Sequence, residues 1–207
     1  MQVSSNTFTA AAAPAPGAAI NPMLFTVSDV QYYRNVPFDD YLKIPGVSFS
    51  SIKGFEGEKT EGMKLGERVH QYLNEPHLYD WQQSEIVRPI AGVIRSKVGT
   101  AFKFMEKELA FTCWFHYMGM KLLYKGRSDL IKTGQVLVDY KVMAGGLDNA
   151  ISHFGYDRQI SGYCLATGCR MGIIISWNKN QKKPEQRTII PDSTFWANQV
   201  VRLGVPA

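Results

Sequence analysis

The chain has 207 residues, 45% of them hydrophobic and 20% charged, with a formal net charge of +5 at pH 7. That length supports one sizeable core plus a tail, and no apolar run approaches the ~18–20 residues of a membrane-spanning helix. Cys113, Cys164 and Cys169 form an odd set without a CxxC pair, which argues against a disulfide framework or zinc ribbon and for free buried thiols in a reducing compartment.

Residues 1–22 are rich in Ala, Pro, Ser and Thr and carry no charge, which reads as a disordered leader or tether. They lack a basic n-region and a continuous apolar h-region, so no secretory signal is expected. From Leu24 to Ile52, short apolar pieces interrupted by Pro37 and Pro45-Gly46 predict extended chain and turns. Tyr32, Tyr33, Phe38 and Tyr41 in this stretch read as core anchors, with a base-stacking platform as the rarer alternative.

GMKLGERVHQYLN, residues 62–74, places Leu65, Val69, Tyr72 and Leu73 at helical spacing, with Gly66, Glu67 and His70 on neighbouring parts of one face. A second helix is expected from about Ala91 to Lys107, carrying Arg95, Lys97, Lys103 and Lys107 as a solvated face or a phosphate contact surface. Strands follow at Glu108–Tyr117, Lys121–Ile131 and Gln135–Val142, an antiparallel meander. After Gly145-Gly146, Asn149–Thr167 predicts one substantial helix, with Gly168 at its C-terminal cap. Gly172–Trp177 reads as a buried strand, Asn178–Glu185 as a loop with Lys179, Lys182 and Lys183, and Gln186–Ile190 as a returning strand. Asp192 or Ser193 is placed to cap a last helix through Val201. The alternation implies an α/β (α+β) fold, a mixed central β-sheet flanked by helices.

The chemistry concentrates between Tyr124 and Val142, YKGRSDLIKTGQVLVDYKV. The second strand puts Leu137, Asp139 and Lys141 on one face and Val136, Val138, Tyr140 and Val142 on the other. Asp139 and Lys141 then stand roughly 6.5–7 Å apart along the strand. An acid and an amine amid apolar β-formers are costly unless they meet each other, a metal or a phosphate.

Asp129, in GRSD, and Asp139-x-Lys141, in VDYK, resemble the core of the PD-(D/E)xK nuclease superfamily. Gly66 to His70, GERVH, is similar to the GxxxH helix of its RecB-like branch, and Gln159 to Tyr163, QISGY, to the QxxxY helix motif. The pieces occur in the order and context of that branch and span about Gly62 to Ile190. Within that branch, the small size and lack of a helicase resemble the phage-type recombination exonucleases of the exonuclease VIII kind and the mitochondrial genome-maintenance exonuclease, and YLKIPGVSFSSIK more loosely resembles the entry region of the exonuclease VIII type.

The resemblance implies a restriction-endonuclease-like core over residues 62–207, an entry segment over 23–61, and metal-dependent DNA exonuclease activity in recombination, repair or phage replication. A structure-specific or restriction-type endonuclease with the same site, or a non-catalytic binding module on this fold, remains open beside it. It also implies Mg²⁺ or Mn²⁺ held by His70, Asp129, Asp139 and the Tyr140 backbone carbonyl, with Glu67 and Glu108 as further candidates. Lys141 would orient the attacking water or stabilise developing charge, and Gln159 and Tyr163 would hold the DNA backbone or that lysine. Lys179, Lys182, Lys183, Arg95 and Lys97 are the expected DNA contacts. Three cysteines make an iron–sulfur cluster unexpected.

Linear duplex or single-stranded DNA is the implied partner, with a single-strand annealing protein and self-association as further possibilities. No membrane partner is implied, and the implied setting is the cytoplasm of a bacterial or phage-infected cell. Each residue also has a plainer reading: Asp129 as a turn starter, Asp139 and Lys141 as an exposed ion pair, His70 as a structural histidine. Cys113 and His116, three apart on a strand, point to opposite faces and do not form a nucleophile pair.

Overall fold

A computed structural model describes residues 24–54, 61–74 and 84–207; the leader at 1–22 lies outside them. The first strand, β1 (Thr26–Tyr33), precedes two short helices, α1 (Phe38–Lys43) and α2 (Phe49–Lys53). Two longer helices follow, α3 (Glu61–Asn74) and α4 (Ser84–Val98), the latter running into a 3-10 turn at Gly99–Phe104. Then come β2 (Glu106–Tyr117), β3 (Met120–Lys132), β4 (Val136–Met143), α5 (Leu147–Phe154) and α6 (Tyr156–Thr167). The chain closes with β5 (Met171–Asn178), β6 (Lys183–Ile189), α7 (Thr194–Leu203) and β7 (Val205–Pro206).

Among the described residues the strands form one seven-stranded sheet in the order β1-β2-β3-β4-β5-β6, with β7 beside β3. Among the described strand pairs only β4 and β5 run parallel, joined by the α5–α6 crossover, so the sheet is mixed as the sequence implies. β2 and β3 turn at Met118-Gly119, where both residues have positive φ (52° and 74°), the backbone of a two-residue hairpin whose twist matches its strands.

Alternate residues of the central strands enter two cores. Leu109, Phe111, Cys113, Phe115, Ile131, Leu137 and Ile174 pack with Ile160, Cys164, Trp196 and Val200 of α6 and α7. Leu130, Val138, Tyr140 and Ile175 pack with Val69, Leu73, Val87, Ile90 and Ile94 of α3 and α4. Coverage on both faces explains why Gly172–Trp177 is a near-continuous apolar run rather than an alternating one.

Several elements depart from the sequence expectation. The segment from Leu24 to Ile52 is not only extended chain and turns: β1 pairs antiparallel with β2, and α1 and α2 are helical. Of its aromatics, Tyr41 is buried, whereas Phe38 is 53% exposed and anchors no core. The second helix ends at Val98, and Lys107 belongs to β2. The single helix expected over Asn149–Thr167 is broken at Gly155, whose φ of 67° ends α5 in the left-handed conformation, one that glycine adopts without penalty. Lys183 sits in β6 rather than in the preceding loop. Gly168 caps α6 with φ 70° as expected, and the three cysteines are buried and free.

Candidate metal centre

β3 and β4 pair at only three positions, Leu130↔Val138, Ile131↔Leu137 and Lys132↔Val136. The next couple in that register is Asp129 opposite Asp139. Like charges opposed across an antiparallel pair repel, and here the ladder ends. β3 continues along β2 and β4 along β5, so the two aspartates stand on either side of a cleft between parted strands.

Side chains replace the missing ladder bonds. The Tyr140 amide donates to Asp129 Oδ2 at 2.6 Å, and His70 Nε2 donates to the Tyr140 carbonyl at 3.1 Å. The other ring nitrogen, His70 Nδ1, lies 3.3 Å from Asp129 Oδ1. α3 brings His70 here because Val69 and Leu73, the neighbours that bury its inner face, are fully covered. With an acceptor at each nitrogen, the ring is an imidazolium in the absence of metal. Burial alone would lower its pKa, but the charge and hydrogen bond of Asp129 outweigh burial and raise it to about 9. Asp129 is correspondingly held below its ordinary value: burial pushes it up, and His70, Lys141 and the Tyr140 amide pull it down further.

β2 contributes the third carboxylate. Glu108 falls between Lys107↔Leu130 and Leu109↔Ser128 in the β2–β3 register, opposite Asp129. Its φ is +49°, a conformation rare for a non-glycine residue and strained inside a strand. Ligand atoms of His70, Glu108 and Asp129 lie within 4.8 Å of one another. Glu108 Oε2 also meets Arg127 Nε at 2.9 Å.

On the far side of the cleft, Asp139 is almost fully buried, with Lys141 Nζ 2.5 Å from its Oδ2. The amine also lies over the Tyr156 ring, 5.0 Å from its centroid. Burial, reinforced by the Asp129 charge and opposed by Lys141, lifts Asp139 to about 6. Lys141 is raised despite its burial, because both aspartates favour its charged form. The centre holds three carboxylates against His70, Lys141 and Arg127. Carboxylate oxygens from Glu108 and Asp129, with one imidazole, fit a small hard divalent cation better than a soft metal.

The structure therefore brings together His70, Glu108, Asp129, Asp139, Tyr140 and Lys141 from α3, β2, β3 and β4. Glu67 is exposed on α3, outside the His70–Glu108–Asp129 group. Gln159 Nε2 donates to the Tyr163 hydroxyl at 3.0 Å, tying these two to each other. Tyr163 is buried against Phe111, with ring centroids 5.5 Å apart. Gly126 permits this approach, since a Cβ there would lie 2.7 Å from Tyr163 Cε1 and 2.3 Å from Phe111 Cζ. Arg95 donates to the Leu73 carbonyl at 3.1 Å and so supports the end of α3, whereas Lys97 is exposed. Lys179 and Lys182 occupy the β5–β6 turn, and Lys183 opens β6. The Lys179 amide bonds to Met143 O at 2.9 Å, just beyond Lys141 on β4.

Two neighbours of the centre go beyond the sequence expectation. Arg127 shares a strand face with Asp129, two residues away, and that spacing is the signal that identifies it. Tyr156 starts α6, and only the helix break at Gly155 reveals that position.

The fold and centre define a mixed α/β protein with a carboxylate–histidine site in a parted strand pair. No protein-family model and no curated sequence matches the chain. Among solved structures it is similar to a candidate exonuclease of Eubacterium rectale, at 18% identity over 75% of this chain and 68% of that one, TM-score 0.47. It is also similar to a phage-related exonuclease of Haemophilus somnus, at 13% identity over 76% and 89%, TM-score 0.40. An alkaline exonuclease of Laribacter hongkongensis matches at 13% identity over 76% and 84%, TM-score 0.40. Among the described residues no helix is long and apolar enough to cross a membrane.

Proposed function

We propose that the chain is a divalent-metal-dependent deoxyribonuclease that hydrolyses phosphodiester bonds from DNA ends, as the sequence motifs imply for a RecB-like PD-(D/E)xK nuclease. The observation that carries this reading is the meeting of Glu108, Asp129 and His70 within 4.8 Å, with the Asp139–Lys141 pair across the cleft. His70, Glu108, Asp129, Asp139 and the Tyr140 carbonyl would hold Mg²⁺ or Mn²⁺. When bound, such an ion neutralises phosphate charge and lowers the pKa of water.

The protein's own groups account for the rest. Lys141, charged and fixed between Asp139 and the Tyr156 ring, supplies a compact cation for the attacking water or the developing negative charge. Asp129 holds the backbone of β4 in place through the Tyr140 amide. Gln159 and Tyr163 support the floor beneath Gly126, and the Lys179–Lys183 turn offers backbone contacts beside the cleft.

End-labelled linear duplex and covalently closed circles, incubated with Mg²⁺, Mn²⁺ or EDTA, test the reading with wild type and Asp139→Ala. Metal-dependent loss of linear DNA, absent in the variant, is expected. Cleavage of circles would replace the exonuclease with an endonuclease, and intact DNA in every metal would remove the nuclease.

A further inference from the structure

α1 leaves an aromatic ring exposed beside the metal centre, and the contacts around it hold it there. Phe38 is 53% exposed and Leu42, one turn on, is 55% exposed. The Phe38 ring lies under the Arg127 guanidinium, 5.5 Å from centroid to Cζ. Arg127 in turn pairs with Glu108 at 2.9 Å, and Glu108 belongs to the ligand group with His70 and Asp129. Two contacts thus connect an exposed ring to the proposed cleavage centre.

The ring's mounting is rigid. Lys125, nearly buried on β3, donates from Nζ to the carbonyls of Leu42 at 2.9 Å and Ile44 at 2.7 Å, where α1 ends. Its amine also lies 5.3 Å from the centroid of the buried Tyr41 ring. Just beyond α1, Val47 takes two backbone bonds from β3: its amide donates to Leu123 O at 2.8 Å, and its carbonyl accepts from the Lys125 amide at 3.0 Å. The strand that carries Arg127 and Asp129 therefore also fixes the helix that carries Phe38. A ring held this firmly and left more than half exposed contributes little to the core.

We infer that Phe38, braced by Arg127, is a stacking platform for an unpaired nucleobase of the strand held at the metal centre. The inference rests on the nuclease reading for the identity of its substrate and adds a binding subsite to it. An aromatic face accepts any base, so the platform contributes affinity without sequence preference. The guanidinium beside it supplies both a cation for the ring and a donor set for an adjacent phosphate. Proximity to the centre selects a nucleotide at or next to the cut bond over one far along the strand.

The test compares wild type, Phe38→Ala and Phe38→Trp for affinity toward a short single strand and an equally long chain of abasic tetrahydrofuran residues. Ca²⁺ replaces Mg²⁺ in these titrations. Wild type should prefer the base-bearing strand. Phe38→Ala should narrow that preference by about tenfold while leaving abasic affinity unchanged, and Phe38→Trp should restore it. An unchanged preference in Phe38→Ala, or an equal loss on both strands, would overturn the platform. The nuclease reading fails separately: absence of cleavage with Mg²⁺ and Mn²⁺ removes that reading, while the affinity ratio still decides the platform. Cleavage with an unmoved ratio removes the platform alone.

Discussion

Asp129 accepts the Tyr140 amide proton at 2.6 Å with one oxygen and faces His70 Nδ1 at 3.3 Å with the other. One carboxylate thus ties the parted strands and stabilises the imidazolium. In Asp129→Asn the amide oxygen still accepts from Tyr140, so the fold should survive, with a melting temperature lowered by the loss of the ion pair to His70. The His70 charge partner is gone while its burial remains. Its pKa should drop from about 9 to below the ordinary 6.5, read from the ring proton shifts in an NMR titration. A value still near 9 would assign the proton's stabilisation to Glu108 instead.

Two of the raised groups, Asp139 and His70, withdraw stability from the metal-free protein as pH rises through the acid-to-neutral range and beyond. Asp139, pushed by burial from 3.8 to about 6, favours the folded state fully below pH 3.8 and loses that contribution by about pH 6. His70, held at about 9 against an ordinary 6.5, contributes fully below 6.5 and loses its contribution as pH passes 9. The melting temperature in EDTA should therefore fall by several degrees between pH 6.5 and 9, and the fall should be smaller in His70→Gln. A metal ligand must be the neutral imidazole, so Mn²⁺ binding at about pH 7.5 should release close to one proton. Calorimetry in buffers of different ionisation enthalpy counts it, and affinity should rise by up to about tenfold per pH unit until about pH 9. No proton release would exclude His70 as a ligand.

Lys141 separates charge compensation from cleavage. Lys141→Met keeps much of the side chain's volume and leaves Asp139 without its amine, so the Asp139 pKa should rise above about 6. Cleavage should fall by roughly 10²–10³, the usual loss when one stabilising group is removed from an active site. DNA affinity in Ca²⁺ should change far less. A parallel loss of binding and cleavage would make Lys141 a substrate contact rather than part of the chemical step.

The strand pair is legible in the sequence because alternation and the turn at Lys132–Gln135 are local. Asp129, Asp139 and Lys141 are readable for the same reason: charged residues among β-formers require a partner. The parting of β3 from β4 is not readable, since it depends on two aspartates meeting in register. The left-handed backbone at Glu108 and the break at Gly155 depend on tertiary packing that overrides local propensity. Arg95 shows the limit of charge patterning: it reads as a solvated face or a phosphate contact, and its bond to the carbonyl end of α3 is not readable from charge alone. Phe38 is the reverse case, an apolar residue expected in the core and found on the surface of α1, where Tyr41 is the buried residue.

The turn between β5 and β6 gives a salt-dependent test. Each phosphate neutralised on duplex DNA contributes about 0.9 to the slope of log affinity against log salt. Replacing Lys182 and Lys183 by Ala should make that slope shallower by about 0.9 for every phosphate no longer neutralised, whereas Lys97→Ala tests the α4 end independently. An unchanged slope for either variant would remove that site from the DNA interface.

Gly126 links the core to the cleft. A Cβ there would lie 2.3 Å from Phe111 Cζ and 2.7 Å from Tyr163 Cε1, both rings are buried, and Tyr163 is tied to Gln159. Something must shift to admit a methyl group at those distances, so Gly126→Ala should overpack the core and cost about 1–3 kcal/mol. For a chain of this size each kcal/mol lowers the melting temperature by roughly 2–4 °C. Displacement of β3 would also shift Arg127 and Asp129, so cleavage should fall more than the folded fraction does. A paired Gly126→Ala/Phe111→Leu variant, which makes room for the methyl group, should recover part of both losses. Recovery of stability without activity would mean that Phe111 itself sets the position of the Asp129 strand.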